Sequence, residues 1–176
     1  MAHNEEQFRA LYEDHYAQVL AFALRRISQP YAQDVVAEAF LVAWRRIESI
    51  PAEPLPWLYA LARNALANQR RTLRRQDQLK AHMDGVTPHS SAIYRDHADG
   101  IAEADAVETA MRRLGRRDQE LLYLIAWEDL KVADAAEVLG CSVTTAKVRL
   151  YRARRRLAKL LSDDVPEVPN SGVARR

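Results

Sequence analysis

The residues of this chain whose types and spacing suit chemistry fall into two clusters, and both are equipped for binding and not for bond-making. In the first, Thr144, Thr145, Lys147, Val148, Arg149, Tyr151, Arg152 and Arg155 crowd into one short stretch, and from Val138 to Leu161 there are seven Lys or Arg and no acid. Cations interleaved with hydroxyls donate hydrogen bonds to phosphate oxygens and to base edges in a major groove. In the second, Trp57, Asn64, Asn68, Arg71 and Arg75 recur at helical spacing beside Arg63, Arg70 and Arg74, and Arg63 to Arg75 holds five arginines and no acid. That face mixes an aromatic, two amides and cations, and its run of arginines suits an anionic partner. DNA is the expected partner of the first cluster, and an anionic partner that of the second. A nuclease or hydrolase would need convergent carboxylates, metal ligands or an activated nucleophile, and the sequence offers no such set. The chain is therefore read as a non-enzyme without cofactor or metal.

Each cluster needs an element to carry it. Val132, Ala135, Ala136 and Leu139 make a short apolar helix face, Gly140-Cys141-Ser142 a tight break, and Val143, Ala146, Leu150, Ala153, Leu157 and Leu160 a longer face. This is helix-turn-helix patterning: Gly140 can take the left-handed conformation that stops one helix, and Ser142 can cap the next. Seven cations alone would read equally as a solvated face; the preceding short helix and the absence of acids tip the balance to DNA. Cys141 reads as a small packed residue of the turn.

The second cluster lies on a helix expected to start near Trp57 and to bury Leu58, Leu61, Ala62 and Ala65. It is preceded by two amphipathic segments, one through Phe8, Leu11, Tyr12, His15, Val19 and Phe22, the other through Val36, Phe40, Ala43 and Ile47, with a break at Ser28-Gln29-Pro30. Pro51, Pro54 and Pro56 close the second segment. Between the clusters apolar density falls: Gln76 to Asp105 has six acids against two bases, with Gly85 and Pro88 near its centre. This stretch reads as a linker. Its histidines His82, His89 and His97 have no metal-site spacing. Periodicity resumes at Ala106, Val107, Ala110, Met111 and Leu114, then at Leu121, Leu122, Leu124 and Ile125 after Gly115. The expected organisation is an all-α protein of two small helical domains, 1–75 and 106–161, with an acidic linker at 76–105 and a disordered tail at 162–176.

The 176 residues, 48% hydrophobic and 28% charged with only 5 Gly, suit a globular helical chain, and the net charge of +2 is small enough that the local basic runs carry the argument. A single cysteine excludes an internal disulfide. No stretch approaches a membrane span and the N-terminus lacks a signal-peptide pattern, so no membrane insertion is expected and a cytoplasmic location is.

Three co-linear stretches, Asp34-Val-Val-Ala-Glu-Ala-Phe-Leu-Val-Ala-Trp-Arg-Arg46, Trp57-Leu-Tyr-Ala-Leu-Ala-Arg-Asn64 with Arg70-Arg71, and Leu139-Gly-Cys-Ser-Val-Thr-Thr-Ala-Lys-Val-Arg-Leu-Tyr-Arg-Ala-Arg-Arg-Arg156, resemble the extracytoplasmic function (ECF) sigma factors of bacterial RNA polymerase. The resemblance spans residues 7 to 161. It implies that Asp34, Glu38, Trp44 and Arg45 dock on the clamp helices of the polymerase largest subunit, with Phe40 packing inside. It implies that the loop Glu48 to Pro56, Trp57, Asn64, Asn68 and Arg63, Arg70, Arg71, Arg74 and Arg75 meet the opened -10 element. The helix-turn-helix would read the -35 element while the domain bearing it sits on the polymerase flap. The linker acids Asp96, Asp99, Glu103 and Asp105 would lie along a cationic RNA channel, and an anti-sigma factor is implied as a further partner. Ala37, where the family usually has glutamine, and three prolines in the loop depart from the pattern. The competing reading is a stand-alone helix-turn-helix regulator with a ligand-sensing or dimerising N-terminal domain.

Overall fold

The structure, a computed structural model, describes residues 2–84 and 102–163. Among these the fold is all-α, with no strand. Helix α1 (Ala2–Leu24) turns through Arg25–Ser28 into α2 (Gln29–Arg45). Pro30 sits in the first turn of α2, where its missing N–H costs nothing and its fixed φ favours the helix. A single 3-10 turn (Ile47–Ser49) leads to α3 (Pro54–Asp84). That helix starts three residues earlier than Trp57, because Pro54 and Pro56 occupy its first turn, the one place in a helix that tolerates them. It also runs nine residues into the segment read as linker. Gln76 to Asp84 lacks apolar periodicity but holds neither Gly nor Pro, so nothing in it breaks the backbone hydrogen bonding.

The first core forms where α2 and α1 pack on each other and on α3. Val19, Phe22, Ala23, Val35, Val36, Ala39, Phe40, Ala43, Leu58, Ala62 and Ala65 are buried there. Tyr59 is also buried, its ring stacked on Phe22 at 4.8 Å between centroids.

The C-terminal half comprises α4 (Ala102–Arg112), α5 (Arg116–Ala126), α6 (Val132–Leu139) and α7 (Val143–Asp163). Thus α4 begins inside the expected linker and α7 ends two residues into the expected tail. The remaining linker residues 85–101 and tail residues 164–176 lie outside the described residues, and so do the expectations placed on Asp96, Asp99, His89 and His97. Ala110, Met111, Leu114, Leu121, Leu124, Ala135, Val138, Ala146, Leu150 and Ala153 form the second core. Gly140 takes the left-handed conformation (φ 64°, ψ 41°) and ends α6, its N–H reaching the Ala136 and Glu137 carbonyls.

The two halves do not stand apart. Helix α3 packs along α6, and the buried apolar residues of both halves form one continuous cluster.

Candidate nucleic-acid interface

Helix α7 is held by its apolar side and offers the other. Ala146, Leu150 and Ala153 are buried against α5 and α6, which leaves Thr144, Thr145, Lys147, Val148, Tyr151, Arg152 and Arg155 exposed. Val148 at 45% and Tyr151 at 62% exposure are apolar surface that the fold itself does not use, as expected of groups that meet base edges. Val143, assigned by spacing to the core face, is 40% exposed at the first position of α7. Ser142 caps the helix: its hydroxyl accepts from the Thr145 N–H at 3.1 Å and lies 2.8 Å from the Thr145 hydroxyl. Thr145 is thus partly engaged in the cap. The Arg155 guanidinium stands 5.8 Å from the Tyr151 ring centroid.

Two arginines of α7 are steered by a residue that spacing did not single out. Asp118, in the first turn of α5, lies 3.9 Å from Arg149 Nε through one carboxylate oxygen and accepts from Arg156 Nη1 at 3.2 Å through the other. The pattern of α7 alone gives no sign of this, because Asp118 reads as an ordinary helix-start acid.

On α3 the apolar side is as expected, and Asn64, Asn68, Arg71, Arg74 and Arg75 are exposed. Trp57 is half-buried against the core, and Arg63 and Arg70 are also half-buried, so these three are less open than Asn64. Asn68 donates from Nδ2 to Glu38 Oε1 at 3.2 Å. An amide expected at DNA and a carboxylate expected at polymerase therefore touch.

The exposed side of α2 carries Asp34, Glu38, Trp44 and Arg45. Leu41, 49% exposed, lies between Glu38 and Arg45 on the same stripe; its i+3 spacing from Glu38 was the available signal. Trp44 rests edge-on against Phe8 at 5.2 Å and keeps 38% of its surface exposed, whereas Phe40 is buried.

The contact between the halves is ionic as well as apolar. The Glu128 side chain, 1% exposed, accepts from Arg26 Nη1 at 2.9 Å, from Arg25 Nε at 3.3 Å and from Arg25 Nη2. Arg26 also donates to Glu120 at 3.1 Å and to the Phe22 carbonyl at 2.9 Å, with its guanidinium 3.7 Å above the Phe22 ring. Burial, with the Glu128 carboxylate next, pushes the Tyr59 hydroxyl up to about 12. Periodicity could not reveal this contact, since the partners are separated by 102 and 103 residues.

Beside the contact lies a cavity of about 410 Å³. Arg63 and Arg70 enter it from α3, Arg149 from α7, and Arg116 and Arg117 from the start of α5.

Residues 11–76 match the family model for Sigma-70 region 2, and residues 104–157 match that for Sigma-70 region 4. An ECF RNA polymerase sigma factor, EcfG of Rhodopseudomonas palustris, is 32% identical over 138 residues, covering 77% of this chain and 74% of the relative. The chain belongs to the ECF sigma factors. BldN of Streptomyces coelicolor is 30% identical over 166 residues, and the chain spans 62% of its length; SigL of Mycobacterium tuberculosis is 29% identical over 159 residues, and the chain spans 89% of it. The sigma factor RpoE of Bartonella quintana, solved in complex with the anti-sigma factor NepR, is similar in structure, with a TM-score of 0.64, 29% identity and coverage of 89% of this chain and 98% of that one. CnrH, solved with the cytosolic domain of CnrY, gives a TM-score of 0.57 at 25% identity, covering 89% and 88%. Both sigma regions are present in order, so this ECF factor serves RNA polymerase in promoter recognition, and the stand-alone regulator is not favoured. No described helix is long and apolar enough to cross a membrane.

Proposed function

We propose that this ECF factor divides its work between a region 2 domain, α1 to α3, and a region 4 domain, α4 to α7. The exposed stripe of α2, with Asp34, Glu38, Trp44, Arg45 and the added Leu41, docks on the clamp helices of core RNA polymerase. Asn64, Asn68, Arg71, Arg74 and Arg75 of α3, with Trp57, Arg63 and Arg70 beside them, hold the opened -10 strand, where stacking, amide hydrogen bonds and phosphate contacts offset the lost base stacking. Helix α7 enters the major groove at the -35 element, Thr144, Thr145, Lys147 and Val148 towards bases and Arg149, Tyr151, Arg152 and Arg155 towards phosphates and flanking edges. The region 4 domain meets the flap, and an anti-sigma factor is the fitting antagonist, a reading supported by the similar RpoE having been solved with the anti-sigma factor NepR. Work at the polymerase puts the protein in the cytoplasm.

One observation carries this reading: α7 buries Ala146, Leu150 and Ala153 and turns Lys147, Val148, Tyr151, Arg152 and Arg155 outward on a basic, partly apolar side that the core does not use. The deciding experiment is transcription in vitro with purified core polymerase. A promoter-specific transcript dependent on this chain is expected. Tight duplex binding by the chain alone, without any polymerase complex at micromolar concentration, would refute the division of labour.

A further inference from the structure

The cavity between the halves is lined by six arginines, Arg26, Arg63, Arg70, Arg116, Arg117 and Arg149, with Glu120 the one carboxylate in the lining and Glu128 and Asp118 outside it paired with Arg26 and Arg149. Arg63, Arg116 and Arg117 make no ion pair with any described residue. Arg26, Arg70 and Arg149 have partners, but Arg26 is not fully used. It is 7% exposed, and although its Nε and Nη1 are bonded, its Nη2 is buried without a hydrogen-bond partner. An unsatisfied buried guanidinium N–H is costly, and collecting like charges in a part-enclosed space is costlier still unless an anion enters. The first turn of α5 opens onto the same space. Its N-cap, Gly115, supplies no side-chain cap, so the helix end carrying Arg116 and Arg117 adds its own positive potential. The opposite wall is the end of α6, where the Cys141 N–H closes on the Ala136 carbonyl at 3.0 Å.

We propose that this cleft is a binding site for a small polyphosphate group, of the size of a nucleoside polyphosphate, that bridges the two halves. A volume of about 410 Å³ is that of a nucleotide-sized pocket and leaves no room for a duplex. Arginine in several directions suits phosphate oxygens better than an isolated carboxylate, because each phosphate offers several acceptors to forked donors. The ligand would occupy Arg63, Arg70 and Arg149, three residues assigned above to promoter DNA, while resting on Arg26, Arg116 and Arg117, which are not. Its binding therefore favours the closed arrangement and opposes DNA.

The test is calorimetric titration of the full chain at about 0.15 M salt, where diffuse binding to surface charge is screened, with sodium tripolyphosphate and GTP as separate arms. Saturation at one site is expected, with at least about a tenfold loss of affinity in the Arg116→Gln/Arg117→Gln variant, both residues being exposed and outside the core. Removing equal charge elsewhere, with Arg9→Gln/Lys159→Gln, should leave the affinity unchanged. Bound anion should also slow modification of the Cys141 thiol, which lines the cavity. Equal binding of the two phosphates assigns the site to the phosphate chain, and tighter binding of GTP adds the nucleoside; either supports the proposal. Wild-type affinity in the Arg116/Arg117 variant, non-saturating uptake, or displacement of tripolyphosphate by a short glutamate peptide that binds more tightly would each overturn it.

Discussion

Replacing Glu128 by glutamine should loosen the two halves of the molecule without unfolding either. The substitution keeps the shape and one carbonyl acceptor but removes the charge facing Arg25 and Arg26. Breaking a buried pair from one side costs about 3–5 kcal/mol, because the remaining charge stays desolvated. Arg26 bears the larger part, its side chain being 6% exposed, although Glu120 at 3.1 Å still offsets some of its charge. Arg25 bears less, since 29% of its side chain is already exposed and it can turn to water. The retained amide oxygen lowers the cost further. A net loss of about 2–3 kcal/mol follows, which raises the open fraction by a factor of about 30 to 150.

Cys141 reports that fraction directly. It is the only cysteine and it lines the space between the halves. If the halves part and rejoin faster than an aromatic disulfide reagent attacks, the thiol rate follows the open population. The residual exposure of Cys141 in the closed form sets a floor that keeps the observed acceleration below the factor by which the open fraction rises, and a larger radius of gyration in X-ray scattering should accompany it. Glu137→Gln, which removes an exposed carboxylate from α6, is the control and should change neither. A folded Glu128→Gln protein whose thiol rate and scattering match wild type would show that the ionic contact contributes nothing to closure.

Tyr59 predicts an alkaline weakness. Its folded value of about 12 lies above the ordinary 10, so the folded state retains a proton that the unfolded chain releases. Stability is complete below about pH 10 and falls between pH 10 and 12, by about 2–3 kcal/mol in all; urea midpoints across this range should show the decline, and Tyr59→Phe should remove that part of the slope. Gly140→Ala should cost about 1–2 kcal/mol of stability in urea melts, purely from the left-handed backbone, since no atom lies within 4 Å of an added Cβ; no measurable loss would contradict the assigned turn. Asp118→Asn should release Arg149 and Arg156 together, strengthening non-sequence-specific DNA binding and steepening its salt dependence by about one to two phosphate contacts, read by titrations at several salt concentrations. Arg149→Ala and Lys147→Ala should weaken binding at the -35 element while leaving core polymerase binding intact, measured by footprinting and by complex formation separately.

What could be read from the residues and what could not divides along a physical line. Amphipathic spacing specifies which side of a helix is buried, so the buried faces of α2 and α3, the middle of that of α7 and the stop at Gly140 are legible in the sequence. Spacing is silent on polar helix, and Gln76 to Asp84 was read as linker because its apolar periodicity had ended, although its residues are competent helix formers. It is equally silent on contacts between elements far apart in the chain. Arg25, Arg26, Glu120 and Glu128 carry no mark that they meet, and Asp118 none that it steers α7. The consequence reaches the candidate site itself. Arg63 and Arg70 were grouped with Asn64 by proximity in the chain, and Arg149 with Lys147, yet all three arginines face one another across a cleft that belongs to neither domain alone. Under the proposed assignments each domain takes its DNA surface from its own helices, and the Glu128→Gln variant tests whether opening of both surfaces follows from parting the ionic contact at Glu128.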